Sequence, residues 1–235
     1  MNKAIISAPF GSYLTIPGAT STRGTYTADK RPGAIFGALT RINFTRQGIL
    51  NKMCLRNPGI KSQDFDKHED VIWSIGGMDR TGWKNVVLSV PEWVTVELNC
   101  SCPNIDDYMY REDWIHLFNM ASSRFFDVIV KLPPNFKQAS MLFNLAYNNG
   151  ITTFHCCNTI KTNKGGLSGR AIQKYSLPII EHIKRTPGIT AIGGGGIYSK
   201  SDVKRYRNAG ADKFSLGTIF FMPWKVPGVM REINK

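Results

Sequence analysis

Apolar and polar positions follow two alternating periods from residue 71 onward. Short runs of β-branched and other apolar residues predict buried strands, and each run precedes a stretch whose apolar residues have helical spacing. The predicted strands are 71–75, 93–98, 127–132, 151–157, 189–192 and 213–216, and the predicted helices are 83–90, 114–125, 136–148, 176–185, 201–208 and 229–233. This succession of strand and helix predicts parallel βαβ units.

The N-terminal part, up to residue 33, is rich in Gly, Pro, Thr and Ser, which predicts short strands and turns. A short helical pattern follows at 34–42, and 51–59 predicts an irregular loop dense in amide groups. Six units from residue 71, with two compressed units before them, predict a (β/α)8 TIM barrel with a compressed N-terminal part. We expect a single domain over 1–235, and a doubly wound open sheet is the alternative fold.

The composition argues against a membrane protein, a secreted protein and a zinc protein. No apolar run approaches the ~20 residues that a membrane-spanning helix needs, so no membrane association is expected. The apolar stretch at the N-terminus is too short for a secretory signal, and the five cysteines have no regular framework. Both observations predict a cytoplasmic location with free thiols. The cysteine spacing does not match structural zinc sites, and no metal is expected.

The formal charge of +13, from 30 Lys and Arg against 17 Asp and Glu, favours an anionic ligand. The basic residues are dispersed along the chain. The densest run lies within the predicted helix 201–208 and its start, where it would form a solvated face. The charge therefore favours a phosphate or carboxylate ligand over sequence-selective binding of nucleic acid.

Amide and thiol side chains crowd the end of the predicted strand 93–98. Asn99 and Asn104 bracket Cys100 and Cys102. Because the active sites of parallel barrels lie at the C-terminal ends of the strands, this edge is the predicted place for chemistry. A thiol there can act as nucleophile, base or metal ligand, and the amides can orient a planar polar substrate. The alternative for both thiols is burial as small apolar groups.

Glycines follow the last two predicted strands. Gly193 to Gly196 lie between a strand and a helix, and Gly217-Thr218 follow the next strand. Bare backbone N–H groups beside a helix N-terminus bind phosphate. Two successive motifs of this kind match the phosphate site that barrels form after strands seven and eight. The pattern differs from a dinucleotide-binding fingerprint, since no acidic residue ends the next strand.

In this order the motifs resemble the dihydroorotate dehydrogenase family, flavin-dependent barrels of pyrimidine synthesis. The resemblance extends over residues 31–223. It is carried by Asn51-Lys52-Met53-Cys54-Leu55-Arg56-Asn57, Leu98-Asn99-Cys100-Ser101-Cys102-Pro103-Asn104, Val130-Lys131-Leu132-Pro133, Cys157-Asn158-Thr159, Gly165-Gly166-Leu167-Ser168-Gly169-Arg170, Gly194-Gly195-Gly196-Ile197 and Gly217-Thr218.

The resemblance implies FMN as cofactor and the oxidation of dihydroorotate to orotate. It implies that Cys102 removes a proton while hydride passes to the flavin, and that the Lys131 cation lies beside the flavin ring. A cysteine at this position resembles the soluble branch of the family, for which we expect a homodimer. The implied substrate-binding residues are Asn51, Asn99, Asn104, Asn158 and Thr159, and the implied cofactor-binding residues are Asn99, Lys131, Cys157, Gly169, Gly195, Gly196, Gly217, Thr218 and Arg23.

The chain departs from the family pattern in its shortened segment 13–27. There Arg23 is the nearest basic candidate for the position of a lysine, and Cys54 stands where the substrate loop has glycine. Cys100 is assigned to packing, and the four histidines, which show no paired spacing, are assigned structural or surface roles.

Two other functions remain open at this point. One is a related flavin barrel acting on another pyrimidine, such as a dihydrouridine synthase-like enzyme on RNA, which would use the positive charge. The other is a non-catalytic barrel with a binding role. The electron acceptor is also open among fumarate, NAD through a partner subunit, and quinone.

Overall fold

The computed structural model describes residues 1–33, 42–45, 48–52, 55–66, 70–100 and 109–235. The strands in these ranges are β1 (Ala4–Ile6), β2 (Ala19–Tyr26), β3 (Ile42–Thr45), β4 (Gly48–Asn51), β5 (Val71–Ile75), β6 (Thr95–Leu98), β7 (Val128–Leu132), β8 (Thr153–Cys156), β9 (Ile160–Thr162), β10 (Gly165–Ser168), β11 (Thr190–Gly194) and β12 (Lys213–Leu216). The α-helices in the same ranges are α1 (Arg80–Leu88), α2 (Arg111–Arg124), α3 (Phe136–Tyr147), α4 (Gln173–Ile183), α5 (Lys200–Asn208) and α6 (Val226–Ile233).

Eight strands close into a barrel in the order β1-β2-β5-β6-β7-β8-β11-β12, and β12 pairs with β1 to complete it. Every neighbouring pair is parallel. The predicted TIM barrel is therefore confirmed, and a doubly wound open sheet is excluded because the sheet has no edge strand. Six of the barrel strands come from residue 71 onward and two from the N-terminal part, as the sequence predicts.

Three of the helices between the strands, α1, α3 and α5, follow polar capping residues. Asp79 accepts a hydrogen bond from the N–H of Gly82, so α1 begins three residues before the predicted start at residue 83. Asn135 caps α3 and Ser199 caps α5 in the same way. None of the helices within the described ranges is long and apolar enough to cross a membrane.

The barrel interior is built in layers. Ile5, Ile72, Ile129 and Ile192 are almost fully buried and form one cluster, with one residue from every second strand. This is the layered filling typical of such barrels. Two residues further along the same strands the inward positions are Ser7, Ser74, Lys131 and Gly194, so the interior changes from apolar to polar toward the C-terminal strand ends.

The described connections between the barrel strands β1, β2 and β5 contain short 3₁₀ turns and no α-helix. Among the described residues between β1 and β2, the only helical segment is the 3₁₀ turn Phe10–Ser12. The short connection between β1 and β2 agrees with the predicted compression. The last residue of the predicted helix at 34–42, Ile42, lies in strand β3, and residues 34–41 are outside the described ranges.

A second, four-stranded sheet in the order β3-β4-β10-β9 was not predicted from the sequence. The glycine-containing segment before α4 forms β10, which pairs antiparallel with β4, with Leu167 opposite Leu50. The strand partners are far apart in sequence, and glycine has low β-propensity, so local pattern carried no signal for this pairing. The loop predicted at 51–59 correspondingly begins one residue later in the structure than predicted, since Asn51 ends β4.

Candidate active site

Glu97 lies at the centre of the polar layer inside the barrel. Its Oε2 is 2.6 Å from Nδ1 of His155, and its Oε1 accepts a hydrogen bond of 2.9 Å from the Ser74 hydroxyl. The Lys131 Nζ lies 3.4 Å from the same Oε1. The side chains of Glu97, Lys131 and His155 are 2%, 9% and 3% exposed, so this is a buried charged group with several partners. A buried carboxylate requires such partners because its desolvation is costly.

These contacts determine the charges of the group. Burial alone would raise the pKa of Glu97, but Lys131, His155 and Ser74 outweigh it and lower that pKa to about 2. Burial lowers the pKa of His155, and the Lys131 charge lowers it further, against the opposing effect of Glu97. Glu97 is therefore ionised at neutral pH and His155 is neutral, so the His155 Nδ1–H donates to the carboxylate.

A chain of hydrogen bonds runs from Glu97 to the amides at the strand ends. The Ser74 hydroxyl lies 2.9 Å from the Thr25 hydroxyl, and Thr25 accepts a bond of 2.8 Å from Nδ2 of Asn99. Nδ2 of Asn158 donates to Oδ1 of Asn99 at 2.7 Å. The structure thus brings together Asn99 and Asn158, two of the predicted substrate-binding residues, and connects them to the partner of Lys131.

Thr25 reaches the barrel interior because β2 is irregular there. The register of β2 on β5 shifts between Gly24 and Tyr26. Gly24 has a φ of +107°, and a Cβ on it would lie 2.4 Å from the carbonyl oxygen of Ser74. Only glycine allows this close approach of the two strands. The shift re-aims the following side chain, as β-bulges do, and places the Thr25 hydroxyl beside Ser74.

The predicted phosphate residues converge at the C-terminal ends of β11 and β12. Gly196 has a φ of +67°, and a Cβ on it would lie 2.5 Å from the Arg170 Cα, so this loop packs directly on the segment that follows Gly169. The Thr218 hydroxyl lies 2.6 Å from the Tyr198 hydroxyl. Among the described residues, no backbone carbonyl accepts a hydrogen bond from the N–H of Gly195, Gly196 or Gly217.

Two cations lie near Tyr198, the partner of Thr218 in this cradle, which we define as Gly169, Gly195, Gly196, Gly217 and Thr218. The Arg170 guanidinium and the Lys225 ammonium lie 5.8 and 6.0 Å from the centre of the Tyr198 ring. The buried carboxylate of Asp202 accepts from Arg170 and Arg205, which offset its negative charge. Backbone donors, a hydroxyl and nearby cations fit a phosphate group. The residues present are thus compatible with the phosphate of a flavin mononucleotide.

The remaining predicted site residues have varied positions. Asn51 lies in the second sheet, where it pairs with Gly166. Cys157 and Thr159 flank Asn158 after β8, and burial raises the pKa of Cys157 to about 12. Arg23 pairs in register with Trp73 rather than with the inward Ile72 or Ser74, so the structure does not bring it into the polar layer. Cys102, Asn104, Cys54 and His68 lie outside the described residues.

Cys100, the other thiol of the strand-end motif, packs against the hydrophobic core. Burial raises its pKa well above the ordinary value, and the nearby Glu97 carboxylate raises it further. A thiol in this environment stays protonated and is a poor base. The assignment of Cys100 to packing agrees with this position.

Four residues of the polar layer were missed by the sequence reasoning: Thr25, Ser74, Glu97 and His155. Glu97 and His155 occupy alternate positions of predicted strands, which is also the pattern of solvent-facing residues. A usable signal was nevertheless present. Glu97 precedes Asn99 by two residues, and His155 precedes Cys157 by two, so both share the inward face of the strand ends.

Known proteins resemble this chain over most of its length. A family model described as dihydroorotate dehydrogenase matches residues 16–235. The catalytic subunit of dihydroorotate dehydrogenase B (NAD(+)) from Oceanobacillus iheyensis is 29% identical over 229 residues, which cover 82% of this chain and 74% of the relative. The subunit of the same name from Caldicellulosiruptor bescii is 28% identical, with 92% and 80% covered.

A solved structure shares the fold. The crystal structure of DHODH in complex with ferulenol from Eimeria tenella has a TM-score of 0.78 and 17% sequence identity, and the match covers 98% of this chain and 80% of that one. At this identity the likeness concerns the barrel alone. The family model, by contrast, spans nearly the whole chain and confirms the resemblance noted in the sequence. This protein therefore belongs to the dihydroorotate dehydrogenase family, flavoprotein oxidoreductases of pyrimidine biosynthesis.

Proposed function

We propose that this protein binds FMN and oxidises dihydroorotate to orotate, with Cys102 as the catalytic base. The observation that carries the proposal is the placement of Lys131, Asn99 and Asn158 at adjacent strand ends of one barrel, with a phosphate cradle on β11 and β12. A flavin mononucleotide and a small planar substrate need these groups together.

Each group has a defined task in this proposal. The cradle residues hold the phosphate, and Cys157 lies at the end of β8, the strand next to β11. The chemistry that FMN supplies when bound is acceptance of a hydride. Lys131 supports it because a cation there stabilises developing negative charge. Asn51, Asn99, Asn104, Asn158 and Thr159 orient the substrate carboxylate and ring amides, and the Cys102 thiolate takes the proton from the carbon next to the carbonyl.

Cys102 and Cys100 provide a matched pair for testing the base. Replacing Cys102 with Ala should slow the reduction of bound flavin by dihydroorotate about 10²- to 10⁴-fold, the usual contribution of a general base. Cys102→Ser should retain part of the rate, rising with pH. Cys100→Ala should change the rate by less than about threefold, because its thiol only packs against the core. Equal slowing by the two alanine variants would refute the assignment of the base.

The names of the curated relatives bear on the electron acceptor. Both relatives above are named as catalytic subunits of an NAD(+)-linked enzyme. We infer that electrons pass to NAD+ through a second protein subunit rather than directly from this chain. Reduction of NAD+ by dihydroorotate should require that subunit, whereas reduction of bound flavin should not. The homodimer and the cytoplasmic location remain predictions from the sequence.

The two alternative functions give different results in the same assay. Flavin that binds but is not bleached by dihydroorotate would favour a different pyrimidine substrate, such as a dihydrouridine-containing RNA. Failure to bind added FMN would favour a non-catalytic barrel.

A further inference from the structure

We propose that Thr25 and Ser74 are positioning residues for the substrate amide Asn99: they connect it to Glu97 and so set the direction in which its N–H groups point. The inference rests on the proposed function and deepens it. It predicts that Asn99 recognises a hydrogen-bond acceptor, a carbonyl or carboxylate oxygen, on a planar heterocyclic substrate.

The donor-to-acceptor direction of this chain of hydrogen bonds follows from its end at the buried Glu97. Glu97 is an acid group that, when ionised, can only accept hydrogen bonds. Ser74, 2.9 Å from Glu97 Oε1, must therefore donate its single hydroxyl proton to the carboxylate. The contact of 2.9 Å between the Ser74 and Thr25 hydroxyls then requires that Thr25 donate and Ser74 accept.

The same logic fixes the amide. Thr25 has used its proton, so the atom of Asn99 that lies 2.8 Å from its Oγ1 must be a donor, which is Nδ2. The opposite atom of Asn99 is Oδ1, and it accepts from Asn158 at 2.7 Å. Oxygen and nitrogen of an amide are otherwise hard to distinguish, and here the carboxylate at the end of the chain settles the assignment.

The consequence for recognition concerns the second N–H of Asn99. One Nδ2 proton goes to Thr25, and the other is the donor that Asn99 can offer to a ligand at the barrel mouth. Glu97 also contacts Lys131, so one buried carboxylate orients both the cation and the amide of the site. Loss of a hydroxyl from this hydrogen-bond chain would leave only the bond from Asn158 to hold the Asn99 amide in this orientation.

A neighbouring hydroxyl shows that hydroxyls of the barrel interior are not all paired. Thr22 stands in register with the inward Ile72 on the same strand as Thr25. Its Oγ1 is buried and has no hydrogen-bond partner among the described residues. Thr22 is therefore a matched control for Thr25, with the same side chain on the same strand but outside the chain of bonds.

The test compares Thr25→Val, Thr25→Ser and Thr22→Val in the FMN-loaded protein. Orotate binding is measured by its perturbation of the flavin absorption spectrum, and the affinity for FMN is measured in parallel. Thr25→Val should weaken orotate binding about tenfold, the effect of one lost or misdirected hydrogen bond. Thr25→Ser, which keeps the hydroxyl, should restore most of the affinity. Thr22→Val should change it by less than about twofold, and FMN affinity should stay constant in all three.

Several outcomes would overturn the inference. One is an equal loss of orotate affinity in Thr25→Val and Thr22→Val. Another is a Thr25→Ser variant that binds orotate as weakly as Thr25→Val does. If Thr25→Val fails to fold, Ser74→Ala breaks the same chain of hydrogen bonds one bond closer to Glu97. It should weaken orotate binding to a similar degree. A wild-type protein that binds FMN but neither orotate nor dihydroorotate would refute the proposed function, and the inference with it. If the wild-type protein oxidises dihydroorotate and Thr25→Val leaves orotate binding unchanged, only the inference about Thr25 and Ser74 is refuted.

Discussion

The hydrogen bond between His155 and Glu97 should be a large single contribution to the stability of the barrel interior. The perturbation that tests it is His155→Leu, which removes the Nδ1–H donor while keeping a side chain of similar volume. The carboxylate then retains Ser74 and Lys131 on Oε1 but loses its donor on Oε2. Because the carboxylate is buried, water cannot replace that donor.

The structure gives the expected size of this effect. The bond is 2.6 Å long, and both side chains are at most 3% exposed. Hydrogen bonds to charged groups contribute about 1.5–3 kcal/mol, and burial places this one at the upper end, so we expect a loss of about 3 kcal/mol in the free energy of unfolding. In a Glu97→Gln background the atom that loses its donor is a neutral amide oxygen. There His155→Leu should lower the free energy of unfolding by only about 1 kcal/mol.

The assay is urea denaturation followed by tryptophan fluorescence at pH 7.5, for the four proteins of the double-mutant cycle. Flavin stabilises the folded state by mass action, so all four are compared at equal FMN occupancy. The predicted coupling energy is about 2 kcal/mol. His155→Asn, whose amide can replace the donor, should recover part of the loss. If His155→Leu cost the same in both backgrounds, the contact would contribute no coupling and the reasoning would be refuted.

Three further predictions concern other parts of the molecule. The loss of unfolding free energy caused by His155→Leu should be smaller at pH 5 than at pH 7.5 in the same denaturation assay. The pKa of His155 is lowered in the folded state, so below about pH 6.5 the unfolded wild-type chain takes up a proton at His155 that the folded chain does not. This proton uptake destabilises the wild type and leaves the leucine variant unaffected. Ile129→Ala should lower the free energy of unfolding by about 3 kcal/mol through a cavity in the isoleucine layer, whereas the exposed Ile115→Ala should cost less than about 1 kcal/mol. Gly196→Ala should weaken FMN binding more than about tenfold in a fluorescence titration, because its Cβ would displace the Arg170 backbone; Gly150→Ala has a similar positive φ but open space around it, and should leave FMN binding unchanged.

The barrel could be predicted because its signals are local. Strand β5 ends where Gly76-Gly77 follow an apolar run, and α3 begins directly after Asn135, a capping residue visible in the sequence. The second sheet could not be predicted, because β4 and β10 are stabilised by each other and neither has a strong pattern alone. Bounds differed by a few residues where capping shifted a helix start, as at Asp79.

The site divides in the same way. The convergence of Lys131, Asn99 and Asn158 could be predicted because all three stand at or near the ends of neighbouring barrel strands. Glu97 was missed because Thr95-Val96-Glu97-Leu98 also describes a strand with one solvated face, although its spacing of two residues from Asn99 was a usable signal. Only closure of the barrel turns that face inward.

The central claim is that this chain reduces bound FMN with dihydroorotate, and an anaerobic titration tests it most directly. The purified protein is loaded with FMN, oxygen is removed, and dihydroorotate is added while the flavin absorption bands and the formation of orotate are recorded. The account predicts that the bands bleach and that one orotate appears for each flavin reduced. Bound flavin that keeps its full absorption in excess dihydroorotate, while dithionite still reduces it, would contradict the account.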